Sequence, residues 1–469
     1  MGRSLTSLAA YRGLSLWHET TPHDWVPREP LRGDVVADVA VVGAGLTGLW
    51  TAYYLLRADP TLRVVVLERE TAGFGASGRN GGWCSARFPA SLGTLARLTG
   101  ADHAAALRQH QAMRETIDEV GRVASVERLD VEFLKGGTIS LARNRAQWRR
   151  AQAQVAEARA WGRGPDQLRL LDAQAARARF AATRVRGATY TPDCAVLHPA
   201  RLVVSLARLV EDSRGGRIYE QTPVTAIKRG AVRTPGGSVR ADVVIRATEG
   251  YTSQLPGQRR ALAPVYSLVI ATEPLPREIW EQIGLAGRET FTDLRNLIVY
   301  GQRSADDRLV FGGRGAPYHF GSSVRPSHDS DMRVFANLRR TLVDLLPVLE
   351  RTKITHAWGG VLGVPRDWCA SVGLDRANRF AWAGGYVGQG LSTTNLAGRT
   401  LRDLVLGHET SLTDLPWVGH QSPRWEPEPL RWLGVNAGLR AMALADQEER
   451  LTGRPSVLGA AMSPLIGGH

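Results

Sequence analysis

The first regular pattern in the chain is a short β-branched run, followed by glycines and then by a periodic apolar stretch. The run 38–42 (DVAVV) predicts a buried parallel strand, because such strands are apolar on both faces. The stretch 46–57 (LTGLWTAYYLLR) predicts a helix, and 63–68 (RVVVLE) predicts a second strand. Strand, turn, helix and strand in this order are typical of a βαβ unit in a parallel sheet.

Three glycines in the predicted turn match a dinucleotide-binding motif. Gly43, Gly45 and Gly48 have the spacing G-x-G-x-x-G directly between the strand and the helix. The first permits a tight turn, the second lets backbone N–H groups approach a pyrophosphate, and the third lets the helix pack close to the strand. Glu68 ends the second strand, where an acidic side chain binds ribose hydroxyls. This unit therefore predicts a dinucleotide-binding site, with an ordinary βαβ unit that carries chance glycines as the alternative.

A second match to the same spacing lies at 73–82 (GFGASGRNGG) in a different context. The chain has 50 glycines in 469 residues, so about half a chance match is expected. No predicted strand leads directly into Gly73, and no long apolar-periodic helix follows Gly82. We interpret this stretch as a thin backbone surface against a flat ligand, with a flexible surface loop as the alternative.

The remaining pattern predicts two interleaved domains, which is also the expectation from a length of 469 residues. Helical periodicity dominates 101–182, and strand-like runs dominate 262–315. Nucleotide-type segments recur at 198–250 and at 379–405, where a strand, a Gly-rich turn and a helix follow one another. Residues 1–37 are interpreted as a polar lead-in, and the chain beyond about 411 as less regular.

The amino-acid composition indicates which classes of protein and partner to expect. The net charge is +14, and almost all of the positive charge is arginine, since the chain has only three lysines, Lys135, Lys228 and Lys353. No recognised nucleic-acid-binding module accompanies this charge, so nucleic acid is not an expected partner. The three cysteines, Cys84, Cys194 and Cys369, suggest no disulfide framework, and a reducing, cytoplasmic location is expected. No apolar run approaches 18 residues, so no membrane span is predicted.

Seven segments, in this order, resemble the D-amino-acid-oxidase and glycine-oxidase-like family of FAD-dependent amine oxidoreductases, in particular its γ-glutamylputrescine-oxidase type. They are DVAVVGAGLTGL, VVVLERETAGFGASGRNGG, TPVTAI, ADVVIRATEGYT, VYSLVIATEPL, DRLVFGGR and AGGYVGQGLSTTNLAG. The resemblance implies an α/β fold, α+β overall, with a Rossmann-like FAD-binding domain interleaved with a substrate domain built on an antiparallel or mixed sheet with helices. The predicted FAD-binding domain comprises 1–100, 190–260 and 351–410, the substrate domain 101–189 and 261–350, and a C-terminal extension 411–469.

The resemblance also implies FAD-binding positions along the chain. Those for the ADP half are Gly43, Gly45 and Gly48 at the pyrophosphate, Glu68 with Arg69 at the ribose, Val224 at the adenine edge, and Ala247 and Thr248 nearby. Those on the pyrophosphate and isoalloxazine side are Ala76, Ser77, Arg79, Asn80, Gly81 and Gly82. Those at the pyrimidine edge and ribityl chain are Gly385, Gly388, Gly390, Leu391 and Ser392. Non-covalent FAD is expected, because Cys369 lies downstream of the stretch where a cysteinyl attachment would fall.

The implied reaction is oxidation of a C–N bond in a primary or secondary amine or amino acid. A hydride equivalent passes to flavin N5, and the imine hydrolyses to an aldehyde or keto acid. The segment DRLVFGGR contains no lysine that could activate oxygen, so O2 and another electron acceptor both stay open. Two alternatives remain: a hydroxy-acid dehydrogenase on the same fold, and a basic nucleotide- or nucleic-acid-binding protein without redox activity.

Candidate substrate residues cluster in the segment 291–320 and beside the predicted flavin loops. The residues predicted to be catalytic are Tyr300, Arg303, Trp358 and Gln389. An arginine fork could hold a substrate carboxylate, and the further candidates for the pocket are Arg295, Arg314, Tyr318, His319, Trp83 and Tyr386. Surface ion pairing for the arginines and core packing for the aromatics are the alternative interpretations.

Overall fold

The computed structural model describes residues 8–462 of the chain. Within that range the strands are β1 (Val35–Val42), β2 (Val64–Leu67), β3 (Trp83–Ser85), β4 (Thr138–Ala142), β5 (Arg169–Asp172), β6 (Gly187–Thr191), β7 (Cys194–Val196), β8 (Gly216–Tyr219), β9 (Ala226–Lys228), β10 (Ala231–Thr234), β11 (Gly237–Arg246), β12 (Ala263–Thr272), β13 (Thr290–Asp293), β14 (Val299–Arg303), β15 (Leu309–Gly313), β16 (Ile354–Val364), β17 (Ser371–Asp375) and β18 (Phe380–Gly384).

The α-helices of the same range alternate with these strands. They are α1 (Leu8–Arg12), α2 (Leu16–Glu19), α3 (Leu46–Ala58), α4 (Ala76–Arg79), α5 (Leu92–Leu95), α6 (His103–Val126), α7 (Arg145–Ala160), α8 (Ala173–Arg179), α9 (Pro199–Asp212), α10 (Arg277–Ile283), α11 (Met332–Leu345), α12 (Gly390–Leu406), α13 (Leu430–Thr452) and α14 (Val457–Met462). Short 3₁₀ turns lie at Glu249–Gln254, Phe320–Ser322, Pro326–Asp329 and Pro347–Leu349.

The first sheet carries the predicted nucleotide unit. Its strand order is β17-β18-β11-β1-β2-β8, with β10 and β9 attached beside β11. The strand β1 is parallel to both neighbours, and Val39 is paired with Val64 on one side and Val243 on the other. These strands are almost continuously apolar because helices cover the sheet. The predicted helix after the glycines is α3, and the predicted Rossmann-like fold is confirmed.

The second sheet has the order β16-β12-β15-β14-β13-β4-β6-β5 and is antiparallel except between β13 and β4. Every residue of the long strand β12 is buried. The helix α11 covers this strand and its neighbour β15 with an apolar face. The buried side chains of that face are Val334, Phe335, Leu338, Leu342 and Leu345. The predicted antiparallel or mixed sheet of the substrate half is therefore present.

Close packing of two helices supports the nucleotide end of the first sheet. In α3 nearly every side chain is buried, and α12 crosses it with Gly398 against Trp50. A methyl group at Gly398 would lie 2.8 Å from the Trp50 Cβ atom, so this crossing requires glycine. The contact brings the start of α12 beside the start of α3, where the FAD positions were predicted.

Two of the sequence interpretations differ from the structure. The chain beyond 411 is not irregular, because α13 is a helix of 23 residues whose apolar positions are spread around its axis rather than confined to one face. The lead-in is not merely polar, because Leu16, Trp17 and Trp25 are buried. The domain boundaries stay a prediction; β16 falls inside the predicted FAD segment 351–410 yet pairs with β12 in the second sheet.

Within residues 8–462, every helix is too short or too polar to cross a lipid bilayer. In the same range, His, Cys, Asp and Glu side chains form no group of three or more that could hold a metal ion.

Candidate functional site

A cleft of about 460 Å³ lies between the two sheets and collects most of the predicted FAD positions. This volume is in the range of ligand sites. Glu68 and Val224 line one end of the cleft, and Tyr300 and Gln389 line the other. The predicted positions on its walls are Gly43, Gly45, Glu68, Arg69, Ala76, Ser77, Arg79, Asn80, Gly81, Val224, Ala247, Thr248, Gly388, Gly390, Leu391, Tyr300 and Gln389.

In the turn between β1 and α3, backbone atoms pack so closely against the glycines that no side chain would fit. Gly43 has φ +108°, and a Cβ atom there would lie 2.6 Å from the Ala247 carbonyl oxygen. A Cβ atom at Gly48 would overlap the Gly43 carbonyl, so the helix reaches the strand only with glycine at this position. The Ser77 hydroxyl accepts a hydrogen bond from the Leu46 N–H (2.8 Å). The cradle fits a pyrophosphate at a helix N-terminus.

Glu68, the acidic residue after β2, is hydrogen-bonded to this turn. Glu68 accepts hydrogen bonds from the N–H groups of Ala44 (2.9 Å) and Glu70 (3.0 Å). Burial raises the pKa of its carboxyl, and these hydrogen bonds oppose that rise. The Arg69 guanidinium lies over the Tyr251 ring, 5.2 Å from its centroid. Each carboxylate oxygen keeps a lone pair with which it can accept a ribose hydroxyl.

The loop 79–82 is held by four donors that come from other parts of the fold. The Trp358 indole donates to the first carbonyl of the loop (2.8 Å), and the Trp17 indole donates to the second (2.8 Å). The Gln302 side-chain amide donates to the third carbonyl (2.6 Å), and the Leu197 N–H donates to the fourth (3.1 Å). Because every carbonyl has a partner, this backbone is fixed along the wall of the cleft.

Arg79 links this loop to the second sheet. Its side chain is buried and forms an ion pair with Asp329 (2.7 Å). It also donates to the Tyr251 hydroxyl (3.2 Å) and lies over the Phe74 ring, 5.1 Å from the centroid. Burial raises the pKa of the Asp329 carboxyl, and the guanidinium opposes that rise. Since the charge of Arg79 is already compensated, its main role in this geometry is to join the two halves of the cleft.

The Gly-rich turn before α12 closes the opposite wall. The Tyr386 N–H donates to the Glu249 carboxyl (2.8 Å), and the Tyr386 hydroxyl is hydrogen-bonded to Thr47 (3.0 Å). Glu249 has φ +40°, and burial raises its pKa to about 7. The Ser392 hydroxyl donates to the Ser85 carbonyl (2.6 Å), which fixes the first turn of the helix.

Aromatic and polar side chains meet at the far end of the cleft. The Tyr300 hydroxyl is hydrogen-bonded to Ser267 (2.9 Å), and its ring centroid is 5.9 Å from that of Trp83. Burial raises the pKa of Tyr300, so this phenol stays protonated at neutral pH. Gln389 accepts a hydrogen bond from the Ser85 hydroxyl (3.3 Å). This end could orient a small polar molecule beside the loop 79–82.

Two of the residues predicted to be catalytic are not in the cleft. Arg303 pairs with Asp307 (2.6 Å) and lies over the Trp280 ring, so the structure places it outside the cleft, and its catalytic role stays a prediction. Trp358 is buried behind the loop 79–82 and holds it from outside. Of the predicted FAD positions, those that support the wall without lining it are Gly48, Gly82, Gly385 and Ser392.

Some of the other candidate substrate residues line the cleft, and the others lie outside it. Arg295 is paired with Asp293 (2.6 Å), and the Tyr318 hydroxyl donates to Glu428 (2.8 Å), so neither faces the cleft. Trp83, Tyr386 and Arg314 line it; the ring of His319 lies against that of His328 instead.

Several site residues carry no local sequence signal. Trp17 lies in a segment that looks polar, and Gln302 is one polar residue within a strand. Arg87 follows β3 in a chain where arginine is common, so its position in the cleft could not be distinguished. The one available hint was Trp17 itself, since a large aromatic residue in a polar stretch is usually buried.

Comparisons with known proteins agree with this geometry. Residues 38–404 match the family model described as FAD dependent oxidoreductase (DAO). The γ-glutamylputrescine oxidoreductase of Escherichia coli (strain K12) is 31% identical over 399 residues, covering 84% of this chain and 89% of that protein.

Solved structures share the fold. Glycine oxidase from Geobacillus kaustophilus matches with a TM-score of 0.68 at 21% identity, covering 82% of this chain and 99% of that one. L-proline dehydrogenase from P. horikoshii matches with a TM-score of 0.66 at 16% identity, covering 84% and 98%. The predicted family and cofactor are confirmed: the chain belongs to the DAO family of FAD-dependent oxidoreductases.

Proposed function

We propose that this protein oxidises a C–N bond of a primary or secondary amine or amino acid, and that the resulting imine is hydrolysed to an aldehyde or keto acid. The observation that carries the proposal is the continuity of the cleft from the dinucleotide cradle at Glu68 to the pocket at Tyr300 and Gln389. A cofactor that spans the cradle would end beside that pocket. The E. coli relative is, by its name, an oxidoreductase of an amine, γ-glutamylputrescine.

The residues of the cleft fit FAD bound without a covalent link. Gly43 and Ser77 would hold the pyrophosphate, Glu68 the ribose, and the loop 79–82 would lie along the flavin. All three cysteines are buried, and none is among the residues that line the cleft. When bound, FAD accepts a hydride equivalent from a C–H bond next to the nitrogen.

The side chains at the far end would position the substrate and exclude water. Tyr300 presents a protonated phenol that can donate a hydrogen bond, because burial keeps its pKa above the ordinary value. Trp83 and Leu362 cover the pocket with apolar surface. Removing water disfavours the ammonium form of an amine, and the neutral amine is the form that can be oxidised.

The test is the visible spectrum of the purified protein during anaerobic addition of amines, amino acids and hydroxy acids. We expect flavin absorption near about 450 nm that bleaches with an amine or amino acid, together with release of ammonia or a smaller amine. Bleaching by a hydroxy acid with a plain ketone product would support C–O oxidation instead. A colourless protein that FAD does not reconstitute would contradict both.

Readmission of air to the bleached protein separates the two classes of electron acceptor. Rapid return of the colour would indicate an oxidase. A colour that returns only with an artificial acceptor would indicate a dehydrogenase, the outcome favoured by the absence of a lysine in DRLVFGGR.

A further inference from the structure

The charges that line the cleft are unevenly compensated. The lining contains six charged side chains: Glu68, Arg69, Arg79, Arg87, Glu249 and Arg314. Arg69 lies 3.6 Å from Glu70, and Arg79 is paired with Asp329. By contrast, Arg87 and Arg314 form no ion pair with any residue of 8–462.

The guanidinium of Arg314 has most of its donors uncommitted. One N–H group donates to the Val387 carbonyl (2.8 Å), and the group lies over the Trp368 ring, 5.3 Å from its centroid. Arginine has five N–H donors, and these contacts engage one of them. Burial lowers the pKa of Arg314 to about 10, which still leaves it charged at neutral pH.

Arg87 has still fewer contacts. Its side chain forms no hydrogen bond or ion pair within residues 8–462, although it lines the cleft and is exposed there. Arg295 and Arg303, by contrast, each have an acidic neighbour. An exposed guanidinium is solvated by water, so the Arg87 side chain is free to pair with an anion that enters the cleft.

Both arginines line the cleft and belong to segments that contact the turn before α12. Arg87 follows β3, whose Ser85 hydroxyl donates to Gln389 (3.3 Å). Arg314 bonds to Val387, two residues before Gln389. Arg314 therefore contacts the turn before α12 directly, and Arg87 follows a strand that contacts it through Ser85. The Glu249 carboxyl, which accepts a hydrogen bond from the Tyr386 N–H, lies at the same turn.

We propose that this end of the cleft takes a ligand with two anionic groups, one for Arg87 and one for Arg314. Resting on the proposed function, we infer that the amine substrate is a dicarboxylate or an equivalent dianion. Guanidinium forks recognise carboxylates with two parallel hydrogen bonds. The same two charges repel an ammonium group, so they favour the neutral amine that is oxidised.

The test is titration of the FAD-loaded protein with acids that cannot be oxidised, followed by the flavin absorption change. The probes are malonate, succinate and glutarate, compared with acetate, propionate and butyrate. We expect the best dicarboxylate to bind about tenfold or more tightly than the matched monocarboxylate. Equal affinities for the two series would overturn the proposal.

Variants assign the two anionic groups. Arg87→Gln and Arg314→Gln are each expected to weaken dicarboxylate binding about tenfold and to remove the preference over monocarboxylates. Arg314→Lys, which keeps the positive charge, should retain part of the preference for dicarboxylates. The matched control is Arg277→Gln, an exposed arginine on α10 that should leave affinities unchanged. Unchanged dicarboxylate affinity in Arg87→Gln would overturn the proposal, as would an Arg314→Gln variant that shifts only the flavin reduction potential.

A second panel keeps this inference separate from the proposed function. Amines with two carboxylates, such as aspartate, glutamate and their N-methyl forms, are compared with one-carboxylate and uncharged amines for anaerobic bleaching. Fastest bleaching by a dicarboxylate amine would support both proposals. Bleaching by uncharged amines alone would overturn the inference and leave the function standing. Tight dicarboxylate binding without bleaching by any amine would contradict the function and leave the dianion site standing.

Discussion

At the residue scale, the cofactor cradle depends on glycines, which have no side chain. A Cβ atom at Gly43 would overlap the Ala247 carbonyl, and a Cβ atom at Gly48 would overlap the Gly43 carbonyl. Backbone atoms therefore fill the space, and the N-terminus of α3 opens toward the cleft. Spacing along the sequence revealed these glycines, whereas the carbonyl of Ala247, about 200 residues away, appears only in the fold.

Gly43→Ala is expected to weaken FAD binding by about tenfold or more, because the methyl group would displace the backbone at Ala247 and strain the positive φ. The measurement is the FAD dissociation constant from flavin fluorescence quenching. Gly434→Ala on α13, where a Cβ atom meets nothing within 4 Å, is the matched control and should bind FAD normally. Equal affinity in both variants would contradict the role assigned to Gly43.

Glu249 predicts a pH dependence with a definite sign. Its folded pKa of about 7 lies above the ordinary 4.5, so ionisation costs the folded protein free energy as pH rises through this window. Glu249→Gln removes that cost while keeping an acceptor for the Tyr386 N–H. We expect the variant to be more stable than the parent by about 1–3 kcal/mol above pH 8, with the difference shrinking toward pH 4.5. Urea unfolding at both ends of the range measures it, and a difference independent of pH would contradict the assignment.

At the element scale, the flavin wall is built by donors from three elements that are separate in sequence. The helix α2 contributes Trp17, β14 contributes Gln302, and β16 contributes Trp358, each to one carbonyl of the loop 79–82. The loop itself has many glycines and would be free to move without them. Its rigidity is therefore a property of the elements that surround it.

Trp17→Phe is expected to weaken FAD binding by about two- to tenfold, since it deletes one hydrogen bond to the loop while keeping an aromatic ring. The measurement is FAD affinity together with the shape of the flavin absorption band. Trp280→Phe is the control, because that indole donates to the Asp307 carbonyl (3.0 Å), outside the cleft. If both substitutions weakened FAD binding equally, a general loss of stability would be the cause. That result would contradict the proposed role of Trp17 in positioning the loop.

At the scale of the whole molecule, the cleft exists because two sheets meet. Arg79, from the loop after the first βαβ unit, pairs with Asp329, which lies in the segment before α11 of the second layer. A buried charge without its partner is costly, so this pair couples the two halves. The Gly359 backbone packs tightly against the backbone of Asp329.

Asp329→Ala is expected to destabilise the protein by about 3 kcal/mol, because it leaves the Arg79 guanidinium buried without an acid. Glu281→Gln, which breaks the exposed pair with Arg277, should cost less than about 0.5 kcal/mol. Urea unfolding measures both values. Similar small costs would mean that the ion pair does not couple the two layers.

Features whose residues lie close together along the chain could be predicted from the amino-acid sequence. The unit from β1 to Glu68 could be predicted because strand, turn, helix and acid occupy one stretch of about 30 residues with fixed spacings. The ordered motifs extended this to the family and to FAD. Helical periodicity and strand-like runs also predicted the helix-rich region 101–182 and the strand-rich region 262–315.

Which polar residues belong to the site could not be predicted, because their positions depend on tertiary packing. Arg303 and Arg314 look equivalent in sequence, yet Asp307 neutralises the first and the second faces the cleft. Trp17 and Gln302 meet the loop 79–82 across about 60 and 220 residues. Such contacts depend on how the layers pack, because charge compensation and hydrogen bonding are settled by neighbours in space rather than in sequence.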